Sequence, residues 1–390
     1  MNILFLVLAG CGGVIDSLNP FDNGGPEDPG MPPGDTSIEP QADAPGAGFP
    51  FADDQVFEIA LTLSPEAAAG LDRNGDYVPG TFSFAGFEVE TGVRLKGAGT
   101  FDRLDGKPSF KLNFGAFTPD TGFLGVERLT LNAMKFDRSK MREAVAYHIY
   151  ERMGVPGPQH GYAQLSINGE NYGLYSLVET LDENFLNRAY PDDDDGNLYD
   201  TVFVASDLTT AGLPNFVHQE GDPATAHTDL ADLVAALDSG PFWDVFQARF
   251  DVDTTLMFLA IDLASPNWDG YSRNRNNFLV YHATVADRWT IVPWGQDSAF
   301  YGGGTLYMGL KSRLTTDCMN DVACRPALEE KIRELMIVWE DEDLHGWAST
   351  IADLIDPACQ ADPRKEEECQ QAEMLELLEV RPGEVRLEVP

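Results

Sequence analysis

Positive charge is scarce in this chain: 26 Lys and Arg stand against 64 Asp and Glu over 390 residues, a formal net charge of −38. Nucleic-acid phosphates need a basic face, so the balance argues against a nucleic-acid partner and leaves room for divalent cations. Histidine is sparse too, at six residues. His148, His160, His218 and His227 are scattered, and neither an HExxH pair nor a GxSxG elbow occurs, which counts against metallopeptidase and α/β-hydrolase readings. Cysteine numbers five. The chain is nonetheless 43% hydrophobic, enough to bury one large core or two ordinary ones.

The initial apolar stretch, MNILFLVLAGC, falls short of the roughly twenty residues that span a bilayer. It ends in Leu8-Ala9-Gly10-Cys11, which resembles the lipobox of bacterial lipoprotein signals, although no basic residue precedes it. The expectation is a signal over residues 1–11, acylation of Cys11, and a lipoprotein anchored at the cell envelope, periplasmic or on the outer surface, or else secreted. Residues 12–50 are rich in Pro, Gly and Asp without apolar period and read as a disordered tether. Four cysteines then remain, an even count that suits disulfides in an exported protein. Closeness favours Cys318 with Cys324 and Cys359 with Cys369, among three possible connectivities.

From residue 51 the pattern is globular. Period-two alternation predicts strands over 55–64, 81–97 (a hairpin), 109–115 and 128–134. Residues 137–154 carry a helical apolar repeat at Met141, Val145, Ile149 and Met153, with Asp137 or Ser139 as cap and Gly154 as stop. Two strands over 162–180 flank Asn168-Gly169, a strong hairpin signal. After about residue 226 helical spacing takes over, interrupted by an apolar hairpin at "NNFLVYHA" and "RWTIVPWG". The expected fold is therefore α+β in two lobes, a β-rich one over about 51–215 and a helical one over 216–390.

Because cations are few, their positions carry weight. "RLKGAGTFDRLDGKPSFKLNF" gathers Arg94, Lys96, Arg103, Lys107 and Lys111, with glycines too irregular for a Walker loop. In "PNWDGYSRNRNN", Asp269 is presented from a loop beside Asn274, Asn276 and Asn277, and amide oxygens next to a carboxylate are what a hard cation accepts. The Asp269-to-Asn274 spacing of five matches the catalytic loop HRDxxxxN of protein kinases, and Asp297 follows the next hairpin, where kinases put their metal-holding Asp. A short hairpin acts as a ruler that brings both carboxylates to one edge. "DRNGD" (72–76) and "DDDDG" (192–196) offer weaker calcium ligands and lack the closing Glu of an EF-hand.

Taken together, "VRLKGAGTF", "GKPSFKLNF", "LNAMKFDRSKMREAVAYHIYERMGVPGP", "YAQLSINGENYGLYSLVETLDENFL", "GNLYD", "NWDGYSRNRNNFLVY" and "WTIVPWGQDSAF" resemble the CotH kinase family, in the family's order, over roughly residues 78–302. The resemblance implies an atypical protein-kinase-like fold that uses ATP with Mg2+ or Mn2+ to phosphorylate Ser or Thr of exported proteins. It implies Lys107 as the phosphate-contacting lysine, with Lys111 as alternative and Arg94 and Lys96 nearby, and Glu179 as its ion-pair partner. Asp269 would serve as base, Asp297 as principal metal ligand, and Asn277, or Asn274 by spacing, as its helper. One departure stands out: where the family often reads Pro-Trp-Asp-x-Asp, this chain has Gly295 at the first acidic position. The rival expectation is thus a catalytically silent surface module that keeps the kinase fold to bind a partner.

Overall fold

A computed structural model describes residues 48–72, 75–97, 99–119, 121–201, 205–301 and 304–390. The expected signal, its lipidated Cys11 and residues 12–47 of the expected tether lie outside that range. At the tether's far end Phe49 is already buried, packed against Phe57, Phe84 and Phe123.

Seven strands close a barrel: β1 (Val56–Thr62), β2 (Val78–Phe84), β3 (Phe87–Lys96), β4 (Ser109–Asn113), β5 (Arg128–Asn132), β6 (His160–Ile167) and β7 (Glu170–Glu179), in the order β1-β2-β3-β4-β5-β7-β6. Local turns make most of these pairings. Ala85-Gly86 and Asn168-Gly169 hold positive φ at both turn positions, a conformation that suits Gly86, Asn168 and Gly169 and is strained at Ala85. Closure comes from a parallel pairing of β1 with β6, Val56 opposite Tyr162. Alternation then sorts the faces: Val93, Leu95, Phe110, Leu112, Leu129 and Leu131 fill the barrel, while Arg94, Lys96 and Lys111 point outward.

The remaining strands, β8 (Asn197–Thr201), β9 (Phe216–Glu220), β10 (Phe278–Ala283) and β11 (Arg288–Pro293), form a separate sheet in the order β11-β10-β8-β9. Thus β8, placed by sequence in the β-rich lobe, pairs instead with β10, Val280 opposite Tyr199. The helices are α1 (Pro65–Gly70), α2 (Arg142–Arg152), α3 (Glu183–Ala189), α4 (Thr228–Ser239), α5 (Phe242–Arg249), α6 (Val252–Ala264), α7 (Tyr271–Asn274), α8 (Arg313–Asn320), α9 (Cys324–Asp341), α10 (Leu344–Ala361) and α11 (Gln371–Glu388). With Thr255 to Ala264 all buried, α6 is the axis of the helical core and packs on α9 and β11. An α+β architecture of two lobes, as expected, is what results.

Both expected disulfides form, Cys318–Cys324 and Cys359–Cys369. The second closes a loop after α10 that grips the barrel. Within it, Asp362 accepts from Lys107 Nζ at 2.5 Å and from Leu174 N at 3.0 Å, and the Arg364 guanidinium stacks 3.8 Å over Tyr172 while bonding the Leu104 and Gly106 carbonyls. Outside it, Asp193 of the acidic run accepts from the Val285 and Ala286 amides at 3.0 and 2.8 Å, so this carboxylate fastens the β10–β11 turn.

Candidate active site

The outer faces of β3, β4 and β5 collect the cations. Arg94 lies directly opposite Lys111, Lys96 is one pleat further on, and Arg128 stands at the margin, 3.5 Å from Glu220. Like charges paired across strands destabilise a sheet, so this face is built for an anion. Burial, with Lys96 and Arg94 alongside, pushes the Lys111 ammonium down to about 8. Asp200 on β8 faces Lys111, and Trp294, just past β11, lies with its ring centroid 5.6 Å from Lys96 Nζ. The barrel face and the second sheet are therefore the two walls of a cleft.

Lys96 is fixed by a chain of polar contacts. Its ammonium donates to Asn132 Oδ1 at 2.5 Å, and Asn132 Nδ2 donates to both oxygens of Glu143 at 2.8 and 2.9 Å. Glu143 also accepts from Ser176 Oγ at 3.0 Å. Burial pushes the Lys96 ammonium down and the Glu143 carboxyl up, with each charge partly restoring the other. Glu143 is in the first turn of α2. The expected caps act from outside that helix, as Asp137 Oδ2 accepts from Arg142 N at 2.8 Å and Ser139 Oγ from Met141 N at 3.1 Å.

The opposite wall supplies the carboxylates. Asp269 accepts from Asn274 Nδ2 at 2.5 Å, Asn276 Nδ2 at 3.2 Å and Asn277 Nδ2 at 3.0 Å, so three amides fix its orientation. Asp297 has no hydrogen bond to its carboxylate among the described residues; burial first, then Glu143 and Asp269, push its pKa up to about 7, against the pull of Lys96. Its backbone carbonyl accepts from Arg142 Nη1 at 3.2 Å, which ties the 297 turn to α2. Gly295 has φ +53°, and a Cβ there would stand 2.5 Å from Asn277 Oδ1. In this chain the Asn277 amide occupies the space that an acidic side chain at 295 would need.

Lys96, Lys111, Arg94, Asp269, Asn274, Asn277 and Asp297 thus lie around one cleft. Two of the expected residues do not. Lys107 is buried against Asp362 and the Leu174 carbonyl, 2.8 Å away, in the clasp. Glu179 accepts from Arg188 Nε at 3.0 Å, Arg188 Nη2 at 2.5 Å and the Gln159 amide at 2.9 Å. The expected Lys107–Glu179 pair is therefore not made: the loop after β3 carries Lys107 away from the cation face. Lys96, at the end of β3, stays on the cation face, and Glu143, absent from the sequence reading, reaches it through Asn132. The available signal was a lone acid among Met141, Ala144, Val145 and Ala146 on the buried side of a helix.

As for a metal, no cluster of three or more His, Cys, Asp or Glu able to hold one occurs among the described residues. What the cleft offers is a mixed set: the unpartnered Asp297 carboxylate, Asp269, and the Asn277 amide oxygen, whose own N–H groups are spent on Asp269. An all-oxygen donor set of this kind fits a hard divalent cation that brings ligands of its own, such as phosphate oxygens and water.

Several known proteins are similar in sequence to part of this chain. Inner spore coat protein H of Bacillus subtilis (strain 168) is 26% identical over 208 residues, 50% of this chain and 55% of that protein. Invasin CotH3 of Rhizopus delemar is 24% identical over 186 residues, 44% of this chain and 31% of the invasin. The chain thus spans about half the length of the first and about a third of the second. The proinflammatory kinase CtkA of Helicobacter pylori superposes over 72% of this chain and 94% of its own, with 12% identity and a TM-score of 0.37, a level from which no residue correspondence follows. The profile of the family described as CotH kinase protein matches residues 93–376, from the middle of β3 into α11 and so across the whole cleft; the chain belongs to the CotH kinase family.

Proposed function

We propose that the chain is an exported kinase that, with a bound divalent cation, Mg2+ or Mn2+, transfers the γ-phosphate of ATP to Ser or Thr of surface or secreted proteins. The observation that carries this reading is the meeting of a cation face, desolvated Lys96 and Lys111 with Arg94 opposite Lys111, with a carboxylate wall (Asp297, Asp269) across one cleft. Lys96, aimed by Asn132 and Glu143, would contact the nucleotide phosphates. Asp297 and the Asn277 amide oxygen, with Asn274 steadying Asp269, would hold the cation, which would neutralise charge developing on the transferred phosphoryl group. Asp269, locked by three amides, would orient the acceptor hydroxyl and accept its proton. Positioning of this kind is most of what phosphoryl transfer asks of a protein.

Export is supported by the two disulfides and by relatives named for a spore coat and for invasion. Attachment through Cys11 belongs to the same proposal: Cys11→Ser should release the protein from membranes, and retention of that variant would overturn the anchor. Of the two weaker calcium candidates, the 192–196 run has Asp193 accepting from two amides of the β10–β11 turn, and residues 73 and 74 of the 72–76 run lie outside the described residues.

The second reading, a kinase-fold surface module without catalysis, is favoured by Gly295. Calorimetric titration of the full-length protein with ATP, with and without Mg2+ or Mn2+, separates the two. Metal-dependent binding that Asp297→Ala abolishes, followed by transfer of label from γ-labelled ATP, is the expected result. A folded protein that binds no nucleotide with either metal would overturn the kinase reading.

A further inference from the structure

A hollow distinct from the cleft is present among the described residues. It lies beside α2, holds about 430 Å3, and is walled by Phe51, Tyr147, His148, Tyr162 and Trp347 together with the Val155–Gln159 segment. Its aromatic lining is organised: His148 stacks on Trp347 with centroids 3.8 Å apart and planes 8° from parallel, and Trp347 Nε1 donates to Asp53 Oδ2 at 3.1 Å. The charged groups at its edge are Asp53, Glu151 and Arg188. Arg188 is spent on Glu179 and the Gly157 carbonyl, 2.8 Å away, whereas neither Asp53 nor Glu151 has an ion pair among the described residues. Burial pushes the pKa of both histidines of the cavity, His148 and His160, down, that of His160 to about 3. An aromatic chamber with an uncompensated acidic rim favours a cation with an apolar body.

One wall residue faces both ways. His160 Nε2 lies 2.8 Å from Ser176 Oγ, whose own proton goes to Glu143 Oε2 at 3.0 Å. The hydroxyl must therefore accept from His160, which fixes the tautomer with its proton on Nε2. The neutral ring then keeps a lone pair on Nδ1, for which no partner exists among the described residues. Beyond Glu143 the chain continues through Asn132, at 2.8 and 2.9 Å, to Lys96 at 2.5 Å.

We propose that this cavity binds a small organic ammonium ion, with its N–H on His160 Nδ1 and its charge balanced by Asp53 and Glu151, and that occupancy is transmitted to Lys96 through Ser176, Glu143 and Asn132. Hydrogen bonds in series polarise one another, so an N–H placed on Nδ1 alters how firmly Glu143 holds Asn132 and thereby Lys96. The coupling is reciprocal: if the ammonium changes nucleotide affinity, the nucleotide changes ammonium affinity by the same factor. Only this coupling rests on the proposed phosphate role of Lys96; the binding site itself does not.

The test uses phenethylammonium and its neutral counterpart 2-phenylethanol, titrated into the full-length protein. The ammonium should bind and the alcohol bind more weakly; Glu151→Gln, an exposed change, should weaken the ammonium alone by about 2- to 5-fold. Equal affinity for the two compounds, no binding of the ammonium, or an unchanged affinity in Glu151→Gln would overturn the site. Saturating ammonium should also shift the Kd for ATP, and Ser176→Ala should retain ammonium binding while losing that shift. A shift that survives Ser176→Ala would overturn the relay. Should the wild-type protein bind no ATP at all, the kinase reading fails, while the ammonium titration still decides the cavity.

Discussion

Lys96 and Glu143 are joined through a third residue: the Asn132 amide stands between them, its oxygen on the ammonium and its nitrogen on the carboxylate. An acid–base pair buried without water has a large desolvation cost, and an interposed amide gives both charges a partner while setting their spacing. The arrangement also makes Asn132 indispensable to the aim of Lys96. Asn132→Leu should cost nucleotide affinity as Lys96→Met does, with the barrel intact by circular dichroism.

Lys96→Met and Lys107→Met should part company. Loss of a hydrogen bond to a charged group is worth about 1.5–3 kcal/mol, so Lys96→Met should weaken nucleotide binding roughly 10- to 100-fold. Lys107→Met should leave that Kd within about two-fold and change stability instead, because Lys107 serves the clasp. Calorimetry and urea unfolding of both variants would read the two effects separately.

Asp362→Ala strips the buried Lys107 ammonium of its counter-charge and leaves the Leu174 amide without an acceptor. Breaking one side of a buried pair costs about 3–5 kcal/mol. The urea midpoint should fall accordingly, and a loss under 1 kcal/mol, about the worth of an exposed pair, would show that the clasp is slack.

Cation binding in the cleft should depend on pH. Asp297 has its pKa raised to about 7, mainly by burial, so below that value it carries a proton that a cation must displace. The sign is fixed: affinity for Mn2+ rises as pH rises through about 7 and is lost as pH falls through it. Trp294, beside Lys96, provides a fluorescence report, and Asp297→Asn should flatten the dependence.

Gly295→Ala introduces a Cβ 2.5 Å from Asn277 Oδ1 at a position with φ +53°. The left-handed conformation alone costs about 1–2 kcal/mol. The variant should lose that much stability and bind Mn2+ more weakly, because the amide oxygen is displaced. Unchanged Mn2+ affinity would remove Asn277 from the cation's ligands.

The sequence carried the local features well. Asn168-Gly169 fixed a hairpin, the β10–β11 ruler set Asp269 and Asp297 at one edge, and two short cysteine spacings gave both disulfides. What escaped was nonlocal. Nothing in β1 announces a parallel partner in β6, more than a hundred residues on, and without barrel closure the outward side of β3 cannot be known to face a cleft. Lys107 drew attention because it lies in a basic cluster, yet its destination depends on Asp362, 255 residues away. Glu143 was hidden by the apolar repeat used to recognise its helix: the same periodicity that reveals a buried face disguises the one charged residue placed on it on purpose.

The contrast between the cation face and the rest of the molecule bears on how an anion arrives. A nucleotide approaching a body of net charge −38 is repelled until it comes within reach of Lys96, Lys111 and Arg94. Salt screens that distant repulsion over a Debye length of about 8–10 Å but reaches desolvated charges inside a cleft far less. Moderate ionic strength should therefore speed association while only mildly hastening release, the reverse of the behaviour of a basic protein that attracts its ligand from afar.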